Sequence, residues 1–401
     1  SERVYIGCGA GFAGDRPDGG LAVVQELARR SGARFMIYET LAERTLALAQ
    51  LRRMNGGPGY LPRLRDYLRP VLATCLAEEI RIIANFGAAD PKGACAEVLS
   101  LAAELGLPAP RLAYVSGDDV TEGAAREALD AKRKIAGPLV AANCYIGAGG
   151  IAEALADGAE IVITGRVSDP ALSLGPLVHA FGWAWDDWDL IASGTLCGHL
   201  LECSTQVTGG YFADPGKKDV EGLETIGFPI AEVSSDGSFV ITKPLNTGGR
   251  VDLLTVREQL LYEIDDPANY LTPDVALDMT EVRLAEVGPD RVLVAGAKGK
   301  PRPETLRAMV CYRGGWFGEA EISYAGPNAV ERGRLAARIV EARLAPMGLE
   351  DFRTDLIGIS AIFGAEPKPE PATIPEVRLR LAASGATAEV VQAALDEVES
   401  L

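Results

Sequence analysis

Between Val4 and Arg166 the chain repeats one pattern six times: a short apolar run, a polar or glycine cluster at its end, then a longer connecting stretch, mostly of helical periodicity. The runs are Val4–Cys8, Phe35–Tyr38, Arg81–Ala84, Leu112–Val115, Pro138–Ala142 and Glu160–Ile163. Runs this short are too brief for a stable helix and match a buried strand. A helix between successive strands carries the chain back to the starting edge, so the strands run parallel with helices over both faces. Gly9/Gly11, Glu39, Asn85, Asp118/Asp119, Asn143 and Thr164/Arg166 then fall at carboxyl ends of strands, where open parallel sheets bind their ligands. Asp90-Pro91 and Asp169-Pro170 read as helix caps.

Val4–Cys8 runs straight into Gly9-Ala-Gly11-Phe-Ala-Gly14. That spacing after a strand begins a dinucleotide fingerprint, and Glu39 supplies its acidic residue. The fingerprint also needs a helix to open inside the loop, so that its first amides hold the pyrophosphate. Here Asp15-Arg-Pro-Asp-Gly-Gly20 prolongs the loop and displaces that helix, so tight NAD binding is not expected. Thr40-Leu-Ala-Glu43 has the form of a capping box and starts the helix after Glu39.

One of only two histidines falls in the stretch Ser193–Phe212. With Thr195–Cys203 helical, His199, Glu202 and Cys203 stand three and four residues apart on one face. Gly209-Gly210 breaks the run, and from Pro229 the pattern becomes alternating residues with turns at Ser234-Ser-Asp-Gly237 and Glu286–Arg291. The expected class is α/β plus α+β: a Rossmann-like domain with a mainly parallel sheet over residues 1–205, and an α+β domain with antiparallel strands over 206–401. His199 lies at that seam, and is expected partly exposed in a cleft with Asn143, Thr164 and Arg166. The aromatic-rich Phe181–Trp188 reads as packing at the junction.

Lys plus Arg number 39 against 56 Asp plus Glu, a net charge of -17. Such a chain repels phosphodiester backbones, and no basic run interleaved with aromatics offsets this, so nucleic acid is not an expected partner. Seven cysteines without a C-x-x-C pair argue against a disulfide framework and a structural zinc site. No apolar run is long enough to span a bilayer, and neither a signal peptide nor a membrane location is expected: the reading is of a cytoplasmic protein.

Gly7-Cys-Gly-Ala-Gly-Phe-Ala-Gly-Asp-Arg16, Glu39-Thr-Leu-Ala-Glu-Arg-Thr-Leu46, Ile163-Thr-Gly-Arg-Val-Ser-Asp-Pro170, Gly198-His-Leu-Leu-Glu-Cys203, Gln206-Val-Thr-Gly-Gly-Tyr-Phe212 and Thr247-Gly-Gly-Arg250 together resemble the acyclic terpene utilisation family, from about residue 4 to about 345. Nothing is carried over for the tail from Pro367. The resemblance implies a protein encoded beside the carboxylase, dehydrogenase and hydratase of citronellol and geraniol breakdown, a route run on coenzyme A thioesters. The expectation is a catabolic lyase or hydratase acting on a branched acyl-CoA thioester or carboxylic acid, with coenzyme A entering as part of the substrate. His199 with Glu202 would be the acid/base pair. Arg166, Asn85, Asn143 and the amides at Gly9 to Gly11 would be oxygen-stabilising donors, with Glu39, Asp118 and Thr164 completing the binding cluster. An NAD(P)-dependent oxidoreductase and a non-catalytic subunit completed by a partner chain stay open, as does a homo-oligomer. A metal on His199, Glu202 and an aspartate lacks a second histidine nearby, so none is expected.

Overall fold

The computed structural model describes residues 3–123, 126–127, 138–362, 364 and 374–401, and the proline-rich stretch from Pro367 to 373 lies outside them. The chain divides into two compact units, Ser1–Tyr312 and Arg313–Leu401.

The first unit holds strands β1 (Arg3–Ala10), β2 (Ala33–Tyr38), β3 (Arg81–Ala84), β4 (Leu112–Val115), β5 (Leu139–Cys144), β6 (Ile161–Thr164), β7 (Ile230–Ser234) and β8 (Phe239–Thr242). β9 (Tyr270–Leu271), β10 (Ala276–Asp278), β11 (Arg283–Gly288), β12 (Arg291–Ala295), β13 (Lys298–Lys300) and β14 (Ala308–Tyr312) follow. A nine-stranded sheet runs in the order β11-β12-β8-β7-β1-β2-β3-β6-β4. From β1 to β4 every pair is parallel, and from β1 out to β11 every pair is antiparallel.

Successive residues of a strand face opposite ways, so a continuous apolar run buries both faces. Ile6, Ile37 and Val162 join one core with the helices Gly149–Ala156, Ala171–Phe181 and Trp188–Glu202. Tyr5, Met36 and Ile163 join the other with Gly19–Leu27 and Pro91–Glu104. The α/β plus α+β class is as expected.

Three expectations need correction. The break near residue 205 lies inside the first unit, because β7 pairs with the free edge of β1 and continues the same sheet. An open edge is a row of unpaired amides and carbonyls, and covering it favours one sheet over two domains. β5 is not a sixth parallel strand but pairs antiparallel with β14 in a separate sheet. Thr40 does not cap a helix either: the Glu43–Met54 helix has Ala42 as its cap, and Thr40 is turned inward to Asn85 Oδ1 at 3.1 Å. Asp90 is a cap as expected, its Oδ1 accepting from the Gly93 amide at 2.9 Å.

The second unit has an antiparallel sheet of β15 (Trp316–Ala325), β16 (Asp351–Ile357) and β17 (Glu376–Gly385) in the order β15-β17-β16. Its core joins Leu379 and Leu381 of β17 to Val340 of the helix Ala329–Leu344 and Val398 of the helix Ala388–Glu399. Among the described residues no helix is long and apolar enough to cross a membrane.

Candidate active site

The glycines at the end of β1 are explained by what they touch. A Cβ on Gly9 would lie 2.3 Å from the Tyr38 ring, and one on Gly11 would lie 2.6 Å from the carbonyl carbon of Cys203. Asp15 closes the loop: its Oδ2 accepts from the Gly11 amide at 2.9 Å and from the Ser204 hydroxyl at 2.7 Å. The next helix starts only at Gly19. The Gly11 amide, which in a dinucleotide loop faces phosphate, is thus given to a carboxylate standing where an anion would bind. Gly9 and Gly11 serve close packing rather than the oxygen-binding role expected of them.

β2 delivers Glu39, whose Oε1 accepts from the Leu41 amide at 2.7 Å and from Asn85 Nδ2 at 3.0 Å. Asn85 Oδ1 in turn accepts from the Thr40 amide at 2.8 Å. Asp118 Oδ2 accepts from Asn143 Nδ2 at 2.9 Å and from the Arg166 amide at 3.0 Å. Asn143 Oδ1 accepts from Gln50 Nε2 at 3.2 Å, and the Thr164 hydroxyl donates to the Gly165 carbonyl at 3.0 Å. Asn85, Asp118, Asn143 and Thr164 are all buried. Their hydrogen bonds hold the loops carrying Glu39 and Arg166, so the polar groups at these strand ends build a frame instead of facing a ligand.

Arg166 is 1% exposed. Its Nε donates to the Val167 carbonyl at 2.9 Å, its Nη1 to the Leu41 carbonyl and its Nη2 to Asp169 Oδ1. The guanidinium lies 4.6 Å from the Tyr145 ring centre. Expected to grip a substrate anion, it is instead the buried counter-charge of Asp169. Asp169 caps nothing with its side chain: Pro170 is the cap of the helix that follows.

His199 sits one turn before the end of the helix Trp188–Glu202, which is buried on nearly every side. The imidazole is 2% exposed, not partly open as expected. Its Nε2 lies 3.2 Å from the Leu260 carbonyl and its Nδ1 3.2 Å from Glu202 Oε1. A carbonyl only accepts, so Nε2 carries a hydrogen; with the imidazole neutral, Nδ1 is an acceptor and the proton shared with Glu202 sits on the carboxyl group. The proton affinities agree: burial pulls His199 down to about 4, and burial, then Asp169, push Glu202 well above the usual carboxylate range. Past the helix end, Ser204 adopts a φ of 46° with its side chain buried. This left-handed conformation costs a serine about 1 kcal/mol or more and is held by Asp15 and the pressing Gly11.

Asp169 is ion-paired with Arg166, and Glu39, Glu43 and Glu202 lie within reach of the same charge. Burial raises the proton affinity of Glu39, Asp169 and Glu202, and the charge of Asp169 adds to the rise at Glu39 and Glu202. Arg166 pulls these three back without restoring ordinary acidity. Glu202 Oε2 is buried without a hydrogen-bond partner. The Cys203 thiol is pushed up by burial and then by Glu202, the opposite of an activated nucleophile. Sequence reasoning missed Asp15 and Asp169, although Arg166 and Asp169 stand three apart, a spacing that lets opposite charges meet on one turn. Among the described residues no group of three His, Cys, Asp or Glu is arranged to hold a metal ion.

Fold and cluster define an α/β protein with a carboxyl-rich site at the strand ends of a mixed sheet. The chain belongs to the acyclic terpene utilisation family: the family model, described as acyclic terpene utilisation family protein AtuA, matches residues 4–401 and so reaches past residue 345 to the end of the second unit. Membership supports a role in terpene catabolism. No curated protein and no solved structure matches the chain.

Proposed function

We propose that this protein is a hydratase or lyase working by general acid/base chemistry on a branched acyl thioester. The observation that carries the reading is the Asp169–Arg166 ion pair, with Glu39 at the end of β2 and Glu202 at the end of its helix within reach of the same charges. Carboxyl groups that share one counter-charge do not all ionise together, so at neutral pH the group holds both an acid and a base. Addition of water across a double bond conjugated to a carbonyl needs that pair. The carboxylate takes a proton from water as the oxygen bonds to the β-carbon, and the carboxylic acid gives one to the α-carbon. The reverse step eliminates water. His199 acts as a positioning residue, holding the proton of Glu202 on Oε1.

Charge discriminates between the two substrate forms. Arg166 is already the counter-charge of Asp169, so it is not free to neutralise a substrate carboxylate, whereas a neutral thioester needs no counter-charge. Nothing in the geometry favours the nicotinamide alternative, since the Gly11 amide is bonded to Asp15.

The test is turnover of a branched 2-enoyl-CoA in deuterated water, with deuterium at the α-carbon read by mass spectrometry. Label uptake with no added NAD(P) is the expected result. Absence of label from every branched thioester tried, or an absolute need for NAD(P), overturns the proposal.

A further inference from the structure

A cavity of about 670 Å3 lies in the first unit, with Val115, Ile146, Trp185, Trp188, Asp274 and Arg302 among its walls. This falls within the usual range for a small-molecule site. None of Glu39, Asp169, His199 or Glu202 lines it. The two sites are nonetheless neighbours. The Ser168 amide donates to the Ile146 carbonyl at 2.9 Å, joining the cavity wall to the Arg166 segment. Tyr145, one residue earlier, packs on Arg166, so a single extended segment separates cavity from cluster.

The walls specify a ligand. Two indoles with Val115, Ile146, Pro273 and Leu306 make them largely apolar. Asp274 is 8% exposed, and its two oxygens accept from the Ala148 amide at 3.0 and 3.1 Å, where the helix Gly149–Ala156 begins. That helix start is already served by a carboxylate, so an anion placed deep in the cavity meets like charge. Arg302 is different: it is exposed, makes no ion pair or hydrogen bond within 4 Å among the described residues and acts on Asp274 only through its field, while Asp186, the other carboxylate of the wall, lies open to solvent. A ligand matching these features has a hydrocarbon body against the indoles and one negative group at the margin. We infer that the cavity is a second binding site, distinct from the carboxyl cluster, for a medium-length hydrocarbon carboxylic acid bound as its anion, with the carboxylate on Arg302.

Trp185 and Trp188 report binding through the fluorescence of the full chain. Octanoate is expected to give a saturable change, and octylamine, with the same tail and opposite charge, none. Arg302→Ala should weaken octanoate about tenfold by removing a charge-assisted hydrogen bond. Gly149 lines the cavity and a Cβ there meets no heavy atom within 4 Å, so Gly149→Leu should fill the space and abolish binding. If that variant does not fold, Trp185→Ala is the substitute, with calorimetry as the readout. Glu39→Gln should bind octanoate as the unaltered protein does, which separates this site from the proposed reaction. Octylamine binding as well as octanoate, no response to octanoate, indifference to both Arg302→Ala and Gly149→Leu, or tighter binding of ADP would each overturn the assignment.

Discussion

Glu232 and Glu39 are both buried glutamates near arginine, one on β7 and one at the end of β2 of the same sheet, yet their protons behave oppositely. The Glu232 side chain is 1% exposed and faces Arg291 at 2.6 Å, Arg30 at 3.3 Å and Arg3 at 3.4 Å. Burial would raise its proton affinity, but Arg291 above all, with Arg30 and Arg3, holds it below the ordinary range. Around Arg166 the ratio is inverted: Glu39, Glu43, Asp169 and Glu202 share the charge of one guanidinium, and the proton affinities of Glu39, Asp169 and Glu202 are pushed up while that of Glu43, bonded to Tyr145, is lowered. Burial penalises the charged form in both places, and the number of counter-charges decides whether that penalty is overcome. One region is an ion-paired clamp between strands, and the other is a store of protons.

The largest expected contrast is in turnover. Glu39→Gln and Asp169→Asn should each lower kcat/KM about a thousandfold, in the middle of the range for a lost acid or base, whereas Glu232→Gln should leave it within about twofold. Retained turnover in both cluster variants would erase the functional half of the comparison.

Stability should show the reverse ranking. Glu232→Gln, which removes the buried carboxylate that Arg3, Arg30 and Arg291 share, is expected to cost about 2 kcal/mol in urea unfolding. Glu202→Gln replaces a carboxyl group that is already neutral and should stay within about 0.5 kcal/mol. Equal losses would mean that Glu202 is ionised in the folded protein.

Gly11→Ala tests the contact that seats the glycine loop on the end of the Trp188–Glu202 helix. Its methyl group would meet backbone atoms of Cys203 and Ser204 at 2.6 and 2.7 Å, so a loss of about 2 kcal/mol is expected from overpacking. A neutral result in thermal unfolding would show that the loop moves freely off the helix.

The smallest effects are in pH dependence. Stability from the raised carboxyl groups is present below their ordinary value of 4.5 and is lost as pH rises through the raised values. Stability from Glu232 is present above 4.5 and lost as pH falls through its lowered value. His199, lowered from 6.5 to about 4, contributes fully above 6.5 and loses its share as pH falls through 4. The unfolding free energy of His199→Gln in urea should therefore fall less between pH 7 and pH 4 than that of the unaltered chain, by about 1 kcal/mol or more. A parallel decline in the two proteins would show that His199 is charged when folded.

Much of the scaffold was legible. The strands β1, β2, β3, β4 and β6, the Asp90 cap and the turns at Gly237 and Asp290 follow from apolar run length and local backbone chemistry. The site was legible only as a set of positions. Asn85, Asp118, Asn143 and Thr164 do lie at the strand ends, but polar residues there look alike whether they hold a loop or face a ligand. The difference lies in partners such as Gln50 and the Arg166 amide, which are distant in sequence.

What the sequence by itself determined was periodicity and composition: which runs are strands, the excess of acid over base, and the motifs that carry the family resemblance. Only the tertiary structure decided that β7 continues the sheet from β1 and that β5 leaves it for β14. It likewise decided that Asp15 takes the Gly11 amide and that His199 is buried against Glu202. The physical reason is range. Propensity and pattern act over a few residues along the chain, while edge pairing, desolvation and the count of neighbouring charges depend on groups brought together from far apart in it.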